Sequence, residues 1–300
     1  MKSKVALIKN GDRSQNIYAS LRLIEDQIDL EGKKNLLIKV NLTSTSNQLA
    51  VTHVDAVRPL LQFLRERYKG KITIGESAPR STHAAYERFG YLKLAKEFEV
   101  ELADFNQGKW EMVELYDSAL RPMKLHFSRQ VIDSDYRIAI GPAKTHDYVV
   151  VTLSIKNLAM GGLSSTYGDQ WRMHQGYPAQ NLNLYLLAKA YPPHLSLIDG
   201  FIGMDGNGPV FGEPTEWGVA ISSCDPVAAD CLASQLMGYE ISDVGYLWYC
   251  QKKGIGIGDM NEMDILGANP KDCYHRFRPH STYEEQKHWR SEAVNEILKI

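Results

Sequence analysis

Short apolar runs alternate with segments of helical periodicity through the first third of the chain. In the helical segments, apolar residues return every three or four positions, as on one face of an amphipathic helix. The runs that predict strands are Val5–Ile8, Leu36–Val40, Ile72–Ile74 and Val100–Ala103. The segments that predict helices lie at about 14–28, 52–64 and 82–97. This alternation indicates an α/β fold with a mainly parallel sheet flanked by helices.

A proline interrupts the second of these predicted helices. Thr52 and Asp55 resemble a helix start signal, but Pro59 lies within the apolar periodicity that follows them. Proline removes one backbone hydrogen bond and crowds the preceding turn of a helix. The helix is therefore expected either to begin near Pro59 or to bend there.

The rest of the chain has a less regular pattern. The further runs that predict strands are Trp110–Leu115, Met123–Phe127, Tyr136–Ile140 ending at Gly141-Pro142, Tyr148–Leu153, Leu195–Ile198 and Gly218–Ser222. The glycine-dense run Gly203–Gly212 predicts a loop. A helix is expected at 181–189, and another between the Asp225-Pro226 start signal and Gly238. Ser281 and Glu284 suggest a capping box for the last helix.

These elements suggest two lobes. We expect an N-terminal α/β lobe over 1–134 and a second α/β lobe with a C-terminal helix over 135–300, with a cleft between them. In parallel sheets, ligands bind beyond the carboxyl ends of the strands. Residues that follow predicted strands are therefore candidates for a ligand site.

Lysines, histidines and amides cluster near these predicted strand ends and beside glycines. Lysines hold carboxylate or phosphate as point charges, amides and hydroxyls orient a ligand, and histidine transfers protons near neutral pH. The substrate-binding candidates are Lys39, Asn41, Glu76, Ser77, Lys144, Thr145, Lys156 and Asn157. The catalytic candidates are His146, His174 and Asp199, with Glu76 as the alternative carboxylate partner. The competing interpretations are solvated or ion-paired lysines and structural imidazoles.

The overall charge argues against a nucleic-acid or anionic-membrane partner. The formal charge is −2, and the apolar and charged fractions are 44% and 23%. A chain of this composition carries no basic footprint for a polyanion. No run approaches the roughly 18 apolar residues of a membrane span, and the N-terminus lacks the apolar core of a signal peptide. We therefore expect a soluble, cytoplasmic protein.

Metal binding is a separate question. The four cysteines, Cys224, Cys231, Cys250 and Cys273, form no C-x-x-C pair, which argues against an iron–sulfur cluster or zinc ribbon in this chain. A divalent metal is a weaker alternative, with His146, His174 and Asp199 as its three ligands. No histidine spacing in the sequence demands it.

An ordered set of short motifs carries a family likeness. The motifs are IKVNLT (38–43), TH (52–53), IGES (74–77), KTH (144–146), IKN (155–157), His174, IDG (198–200), GP (208–209), SCDPVAAD (223–230) and LMG (236–238). Together they resemble the Domain of Unknown Function 362 family over about 5–267. Many members carry a fused ferredoxin-like module, so the resemblance implies an iron–sulfur association, but this chain departs from the pattern in lacking those cysteines. More distantly it resembles lactate racemase, which also places paired histidines and lysines in a cleft between α/β lobes.

Two functions follow as hypotheses. In the first, the chain is an enzyme acting on an anionic metabolite by isomerisation, epimerisation or a redox step. In the second, it is a metal- or iron–sulfur-associated accessory protein that binds or transfers electrons and docks a redox partner. Self-association into a homo-oligomer is left open by the sequence.

Overall fold

A nine-stranded mixed sheet with helices on both faces forms the centre of the computed structural model, which describes residues 2–300. The strands are β1 (Ser3–Lys9), β2 (Asn35–Lys39), β3 (Lys71–Glu76), β4 (Glu101–Asp104), β5 (Trp110–Tyr116), β6 (Pro122–Ser128), β7 (Tyr136–His146), β8 (Val150–Thr152), β9 (Leu195–Asp205), β10 (Glu213–Ser223) and β11 (Met263–Gly267). The helices are α1 (Arg13–Leu23), α2 (Val54–Arg67), α3 (Thr82–Arg88), α4 (Tyr91–Phe98), α5 (Arg129–Ile132), α6 (Ser154–Gly162), α7 (Asp169–Arg172), α8 (Tyr177–Ala190), α9 (Pro226–Leu236), α10 (Gly245–Lys252), α11 (Pro270–Cys273), α12 (Tyr283–Gln286) and α13 (Glu292–Leu298).

The strand order confirms the predicted α/β class. The sheet runs β11-β1-β10-β9-β7-β2-β3-β4, and β8 pairs with the end of β7. Pairing is parallel from β9 through β7, β2 and β3 to β4, and between β1 and β11. It is antiparallel where β10 lies between β1 and β9. The pair β5–β6 forms a separate antiparallel sheet.

Side chains alternate between two apolar layers along the central strands. In β1, Val5 and Leu7 enter one buried cluster and Ala6 the other. In β7, Ala139 faces the first cluster, whereas Ile138 and Ile140 face the second. Because a strand buried on both faces reads as a continuous apolar run, the sequence located these central strands correctly.

The sheet is continuous across the proposed lobe boundary. Strand β2 pairs with β7, and β1 lies between β10 and β11. Residues from both sides of position 135 therefore share one hydrogen-bonded sheet. The division into lobes at 1–134 and 135–300 stays a prediction.

Three strands are longer than predicted. Strand β7 does not end at Gly141-Pro142 but continues to His146. Proline has no backbone N–H to donate to a neighbouring strand. It fits here because β2 pairs with β7 only as far as Ala139, so no β2 carbonyl requires a donor at Pro142. Strands β9 and β10 extend to Asp205 and from Glu213, and the loop between them is correspondingly shorter than predicted.

The helices differ from the predictions at three points, the first being that α2 does not begin near Pro59. Helix α2 starts at Val54 and contains Pro59, and the carbonyl of Asp55 that proline leaves unpaired accepts a hydrogen bond from Ser14 Oγ at 2.7 Å. The segment from Ser154, where no helix was predicted, forms helix α6. The capping box at Ser281 is absent, since α12 follows Thr282 without a side-chain cap.

Candidate functional site

A pocket of about 890 Å³ opens at the carboxyl ends of β2, β3 and β7. Lys39 ends β2, Glu76 ends β3, and these parallel strands deliver both side chains to the same edge. The predicted residues that line the pocket are Lys39, Asn41, Glu76, Ser77, Lys144, His146, Lys156, Asn157 and His174. The exceptions are Thr145 and Asp199.

Lys39 is fully engaged by other protein groups. Its Nζ lies 2.8 Å from Glu76 Oε1 and 3.0 Å from Asn157 Oδ1, and it also donates to the carbonyl of Val40. An ammonium group has three donors, so none remains for a ligand. Burial lowers the pKa of Lys39, and Glu76 opposes that shift. Lys39 therefore acts as the partner of Glu76 in the pocket wall.

The Glu76 carboxylate is equally committed, and a glycine makes room for the pair. Glu76 Oε2 accepts from the Leu42 N–H at 2.7 Å, and Oε1 accepts from the Ser77 N–H at 2.8 Å. A Cβ on Gly161 would lie 2.0 Å from Lys39 Cε and 2.7 Å from Glu76 Oε1. Only glycine in α6 permits this close approach.

Lys144 is buried without a counter-ion in contact. Its Nζ donates to the carbonyls of Ala50 at 2.7 Å and Pro209 at 3.1 Å, and no anionic oxygen of the described residues contacts it. Burial, followed by the positive charge of Lys156, lowers the pKa of Lys144 to about 7. The ammonium group of Lys144 is thus stabilised only by two neutral carbonyl groups.

Lys156 differs from the other two lysines. Lys156 lines the pocket, and its Nζ makes no hydrogen bond or ion pair with the other groups of residues 2–300, although the charge of Asp147 opposes part of the effect of burial. Burial lowers the pKa of Lys156 to about 8. A buried ammonium that lacks a partner is unfavourable unless an anion joins it.

The position of Lys156 is set by the start of α6. Asp230 Oδ1 accepts from the N–H and hydroxyl of Ser154 at 3.0 and 2.6 Å, and Oδ2 accepts from the Ile155 N–H at 3.0 Å. Asp230 lies on α9, so a neighbouring helix caps α6 in place of its own N-cap side chain. The next residue after this anchored pair is Lys156.

The backbone gives the two pocket histidines opposite tautomers. His146 Nδ1 accepts the backbone N–H of Tyr148 at 3.0 Å, so its proton resides on Nε2. His174 Nδ1 lies 2.8 Å from the carbonyl of Gln170, which only accepts, so its proton resides on Nδ1 and Nε2 carries a lone pair. The rings are nearly parallel, at 13°, with centroids 6.2 Å apart.

The surroundings of both imidazoles favour the neutral form. Burial and the charge of Lys156 hold the pKa of His146 well below its usual range and lower the pKa of His174 to about 4. His146 Nδ1 also lies 3.0 Å from Asp147 Oδ1. That contact is not an ion pair, because Nδ1 already accepts the Tyr148 N–H and carries no proton. The pocket therefore presents one N–H donor and one nitrogen acceptor.

The polar neighbours mostly build the pocket wall. Asn157 Nδ2 donates to the carbonyls of Ile140 at 3.0 Å and Lys39 at 3.3 Å. Ser77 Oγ lies 2.8 Å from the carbonyls of both Gly161 and Leu163, which share its single O–H donor. Thr145, outside the pocket lining, donates to the Gly206 carbonyl at 2.8 Å. Asn41 lines the pocket and its Oδ1 accepts from the Thr43 N–H at 3.3 Å.

Asp199 does not join the histidines. Strand β9 continues past it, and its carboxylate faces Arg13 of α1, with Oδ2 2.9 Å from Nε. It also accepts from the Phe201 N–H at 3.1 Å. The prediction that Asp199 lies at a strand end was therefore wrong, because β9 and β10 form a long hairpin beyond it.

The residues described do not fit the metal centres considered from the sequence. Within residues 2–300, no group of three or more His, Cys, Asp or Glu side chains is arranged to hold a metal ion. Cys231, Cys250 and Cys273 are buried, and burial raises the pKa of each thiol.

Sequence reasoning missed the residues at the pocket mouth. Gln170 Nε2 donates to the carbonyl and hydroxyl of Ser77, both at 2.8 Å, and so ties α7 to the pocket floor. Trp171 and Phe211 line the opening. They lie in polar segments without periodicity, where the sequence offered no signal for them.

Comparison with known proteins assigns the family. The model of the family described as "Domain of unknown function (DUF362)" matches residues 36–235. The chain belongs to this family. It is also 27% identical over 248 residues to the thylakoid-associated protein sll1697 of Synechocystis sp. (strain ATCC 27184 / PCC 6803 / Kazusa), covering 79% of this chain and 75% of that protein. The DUF362 resemblance inferred from the ordered motifs is thus confirmed.

A solved structure shares the fold of this DUF362 protein. The lactate racemase apoprotein from Thermoanaerobacterium thermosaccharolyticum superposes with a TM-score of 0.50 at 12% identity, over 79% of this chain. The chain spans 57% of the length of that racemase chain. At this identity the likeness concerns the α/β fold alone.

The helices within residues 2–300 are too short or too polar to cross a lipid bilayer. The cytoplasmic location expected from the sequence stays a prediction, as do a redox partner and a homo-oligomer.

Proposed function

We propose that this DUF362 protein is an enzyme that binds an anionic metabolite, a carboxylate or a phosphate, in the pocket and transfers protons on it. The observation that carries the proposal is the pair of histidines in opposite tautomers beside an unpartnered lysine. His146 offers Nε2–H, and His174 offers the lone pair of Nε2. Lys156 lies close enough to lower the pKa of both rings.

The lysines supply the binding charge. Lys39 is neutralised by Glu76, so Lys144 and Lys156 are the remaining buried cations of the pocket, whose lining also includes Arg80 and Asp147. Their pKa values, about 7 and about 8, reflect burial that a nearby carboxylate, Glu76 for Lys144 and Asp147 for Lys156, offsets only in part. A bound carboxylate or phosphate favours the charged form of each lysine and raises its pKa. Binding above pH 7 is therefore expected to take up protons.

The histidines supply the chemistry. A neutral imidazole nitrogen accepts a proton from substrate, and an imidazole N–H on a second ring returns one. Acting on a carbon or oxygen next to a carbonyl, such a pair performs isomerisation or epimerisation. We favour these reactions over a redox step because the described side chains provide proton donors and acceptors. The charges of Lys144 and Lys156 would stabilise negative charge that develops on the substrate.

A thermal-shift screen of anionic metabolites tests the binding part of the proposal. A ligand at 100 times its Kd stabilises the folded state by about 2.7 kcal/mol. We expect at least one carboxylate or phosphate to stabilise the wild type, and Lys144→Ala and Lys156→Ala to weaken or abolish that shift. Lys189→Ala, an exposed lysine on α8, is the matched control and should respond like the wild type. If no anion stabilises the wild type, or if the pocket variants respond equally, the assignment is wrong.

The chemical step has its own test. A ligand from the screen, incubated with enzyme in deuterium oxide, should gain deuterium at the position that is deprotonated. Exchange should fall in both His146→Gln and His174→Gln, since each ring handles one proton. If exchange persists unchanged in both variants, groups other than His146 and His174 transfer the proton.

A further inference from the structure

Two aromatic side chains at the pocket mouth are unusually exposed. Trp171 is 78% exposed and Phe211 is 86% exposed, more than any other large hydrophobic side chain within residues 2–300. Both line the pocket whose inner end holds the fully buried Lys144. The pocket thus runs from a buried basic end to an open aromatic end.

Trp171 is held close to the proposed acid–base pair. Its neighbour Gln170 is anchored to Ser77, and the His174 N–H donates to the Trp171 carbonyl at 3.0 Å. The Trp171 and His174 rings have centroids 6.2 Å apart and planes inclined at 48°. A group that lies on the Trp171 ring therefore lies next to His174.

Phe211 is linked to the basic end through its own loop. Two residues before it, the Pro209 carbonyl accepts from Lys144 Nζ at 3.1 Å. The Val210 carbonyl accepts from Asn47 Nδ2 at 2.8 Å, and the Phe211 N–H donates to Asn207 at 3.2 Å. These contacts fix the backbone that leads into Phe211, while the ring itself stays in solvent.

We propose that the mouth is a binding subsite for a planar aromatic group carried by the anionic ligand, which stacks on Trp171 and packs against Phe211. This inference rests on the proposed function, because the same ligand places its anion at Lys156. The volume of about 890 Å³ lies in the upper part of the range for pockets that hold drug-sized molecules. A three-carbon acid would leave most of that space to water. The ligand class is therefore an aryl or heteroaryl carboxylate or phosphate.

Stacking explains the exposure. An aromatic ring buries a large area and adds a favourable offset-stacked contact with another ring. In the free protein Trp171 and Phe211 gain neither benefit, although both sit on anchored backbone. A flat group bound at the mouth would gain both of these benefits.

Matched pairs of probes test the subsite. Adenosine 5′-monophosphate is compared with ribose 5-phosphate, and 1-naphthoate with cyclohexanecarboxylate, so that each pair shares its anion and differs in the aromatic group. Calorimetry gives the Kd, and the part of the tryptophan-fluorescence quenching that is lost in Trp171→Phe reports contact with Trp171, one of five tryptophans. The variants are Trp171→Ala and Trp171→Phe. Tyr274→Ala, a 53% exposed aromatic outside the pocket, is the control.

The aromatic member of at least one pair should bind the wild type more tightly. Trp171→Ala should weaken that binding roughly 5- to 150-fold, the effect expected for loss of one stacking platform. Trp171→Phe should lose less, the non-aromatic member should be unaffected, and Tyr274→Ala should match the wild type. Equal binding within each pair, equal losses for both members, or no binding of either aromatic probe would overturn the inference.

These results separate the subsite from the proposed function. If non-aromatic anions bind and Lys156→Ala abolishes that binding while Trp171→Ala has no effect, the proposed function stands and the subsite fails. If aromatic anions depend on Trp171 but not on Lys156, the subsite stands and the anion assignment fails. If raising the protein concentration alone quenches Trp171 and doubles the mass, a second copy covers the mouth and the subsite is wrong.

Discussion

Replacing Lys156 by methionine should stabilise the ligand-free protein. Methionine keeps an unbranched side chain of similar length but removes the ammonium that has no partner among the described residues. Removing an uncompensated buried charge relieves its desolvation cost. The same substitution should abolish the stabilisation of the protein by anions, because it removes the binding charge.

The magnitude follows from the pKa of Lys156. Its fall from 10.5 to about 8, caused by burial, corresponds to a cost of about 3 kcal/mol for the charged form. We expect the variant to gain about 1–3 kcal/mol at pH 7, since packing changes and local relaxation reduce the full value. Below the folded-state pKa of about 8, Lys156 is charged in both states and the cost is complete. Above the unfolded-state pKa of 10.5 it is neutral in both states and the cost is absent.

Between these limits the unfolded state binds more protons than the folded state. The wild type should therefore gain stability relative to the variant by up to about 1.4 kcal/mol per pH unit as the pH rises. Urea unfolding at pH 7 and at about pH 10 measures the difference between the two proteins at each pH. Lys189→Met, on the exposed end of α8, should differ from the wild type by less than about 0.5 kcal/mol at both.

Two results would refute this reasoning. Destabilisation by Lys156→Met at pH 7 would mean that the ammonium makes a favourable contact in the free protein. A difference that does not change between pH 7 and about pH 10 would mean that packing, and not charge, separates the two proteins.

Two further substitutions test the wall of the pocket and its limits. Gly161→Ala would place a Cβ 2.0 Å from Lys39 Cε. We therefore expect the free energy of unfolding, measured with urea, to fall by about 3–5 kcal/mol, as for a broken buried ion pair. A fall of less than about 1 kcal/mol would show that the Lys39–Glu76 pair adjusts to the added methyl group. Asp199→Asn should lower stability by about 1–3 kcal/mol because Arg13 loses its charged acceptor, yet leave anion binding in calorimetry unchanged. If the Asp199→Asn protein folds but no longer binds anions, Asp199 contributes to the ligand site after all.

Much of the pocket could be predicted from strand ends. Lys39 and Glu76 close neighbouring apolar runs, and parallel pairing alone brings such ends together. The roles of the lysines could not be predicted, because they depend on partners distant in sequence. Lys39 is neutralised by Glu76, whereas Lys156 is left unpaired by the orientation of α6, whose start is set by Asp230 on another helix.

The errors have equally local causes. Asp199-Gly200 looked like a strand end because glycine usually interrupts a strand. Here Gly200 continues β9, since its missing Cβ leaves room for the Trp217 ring, 2.5 Å from where that atom would lie. Trp171 and Phe211 gave no signal because aromatic residues in polar loops have no period, and only the folded chain shows that both border one opening.

The opposite tautomers of His146 and His174 are the feature on which the proposed chemistry depends. Long-range proton–nitrogen correlation spectra of protein labelled at histidine nitrogen distinguish a protonated Nδ1 from a protonated Nε2. Spectra of His146→Gln and His174→Gln assign the two rings. At pH 7 we predict a neutral His146 protonated at Nε2 and a neutral His174 protonated at Nδ1. Identical tautomers, or a charged His146 that donates from Nδ1 to Asp147, would contradict the account.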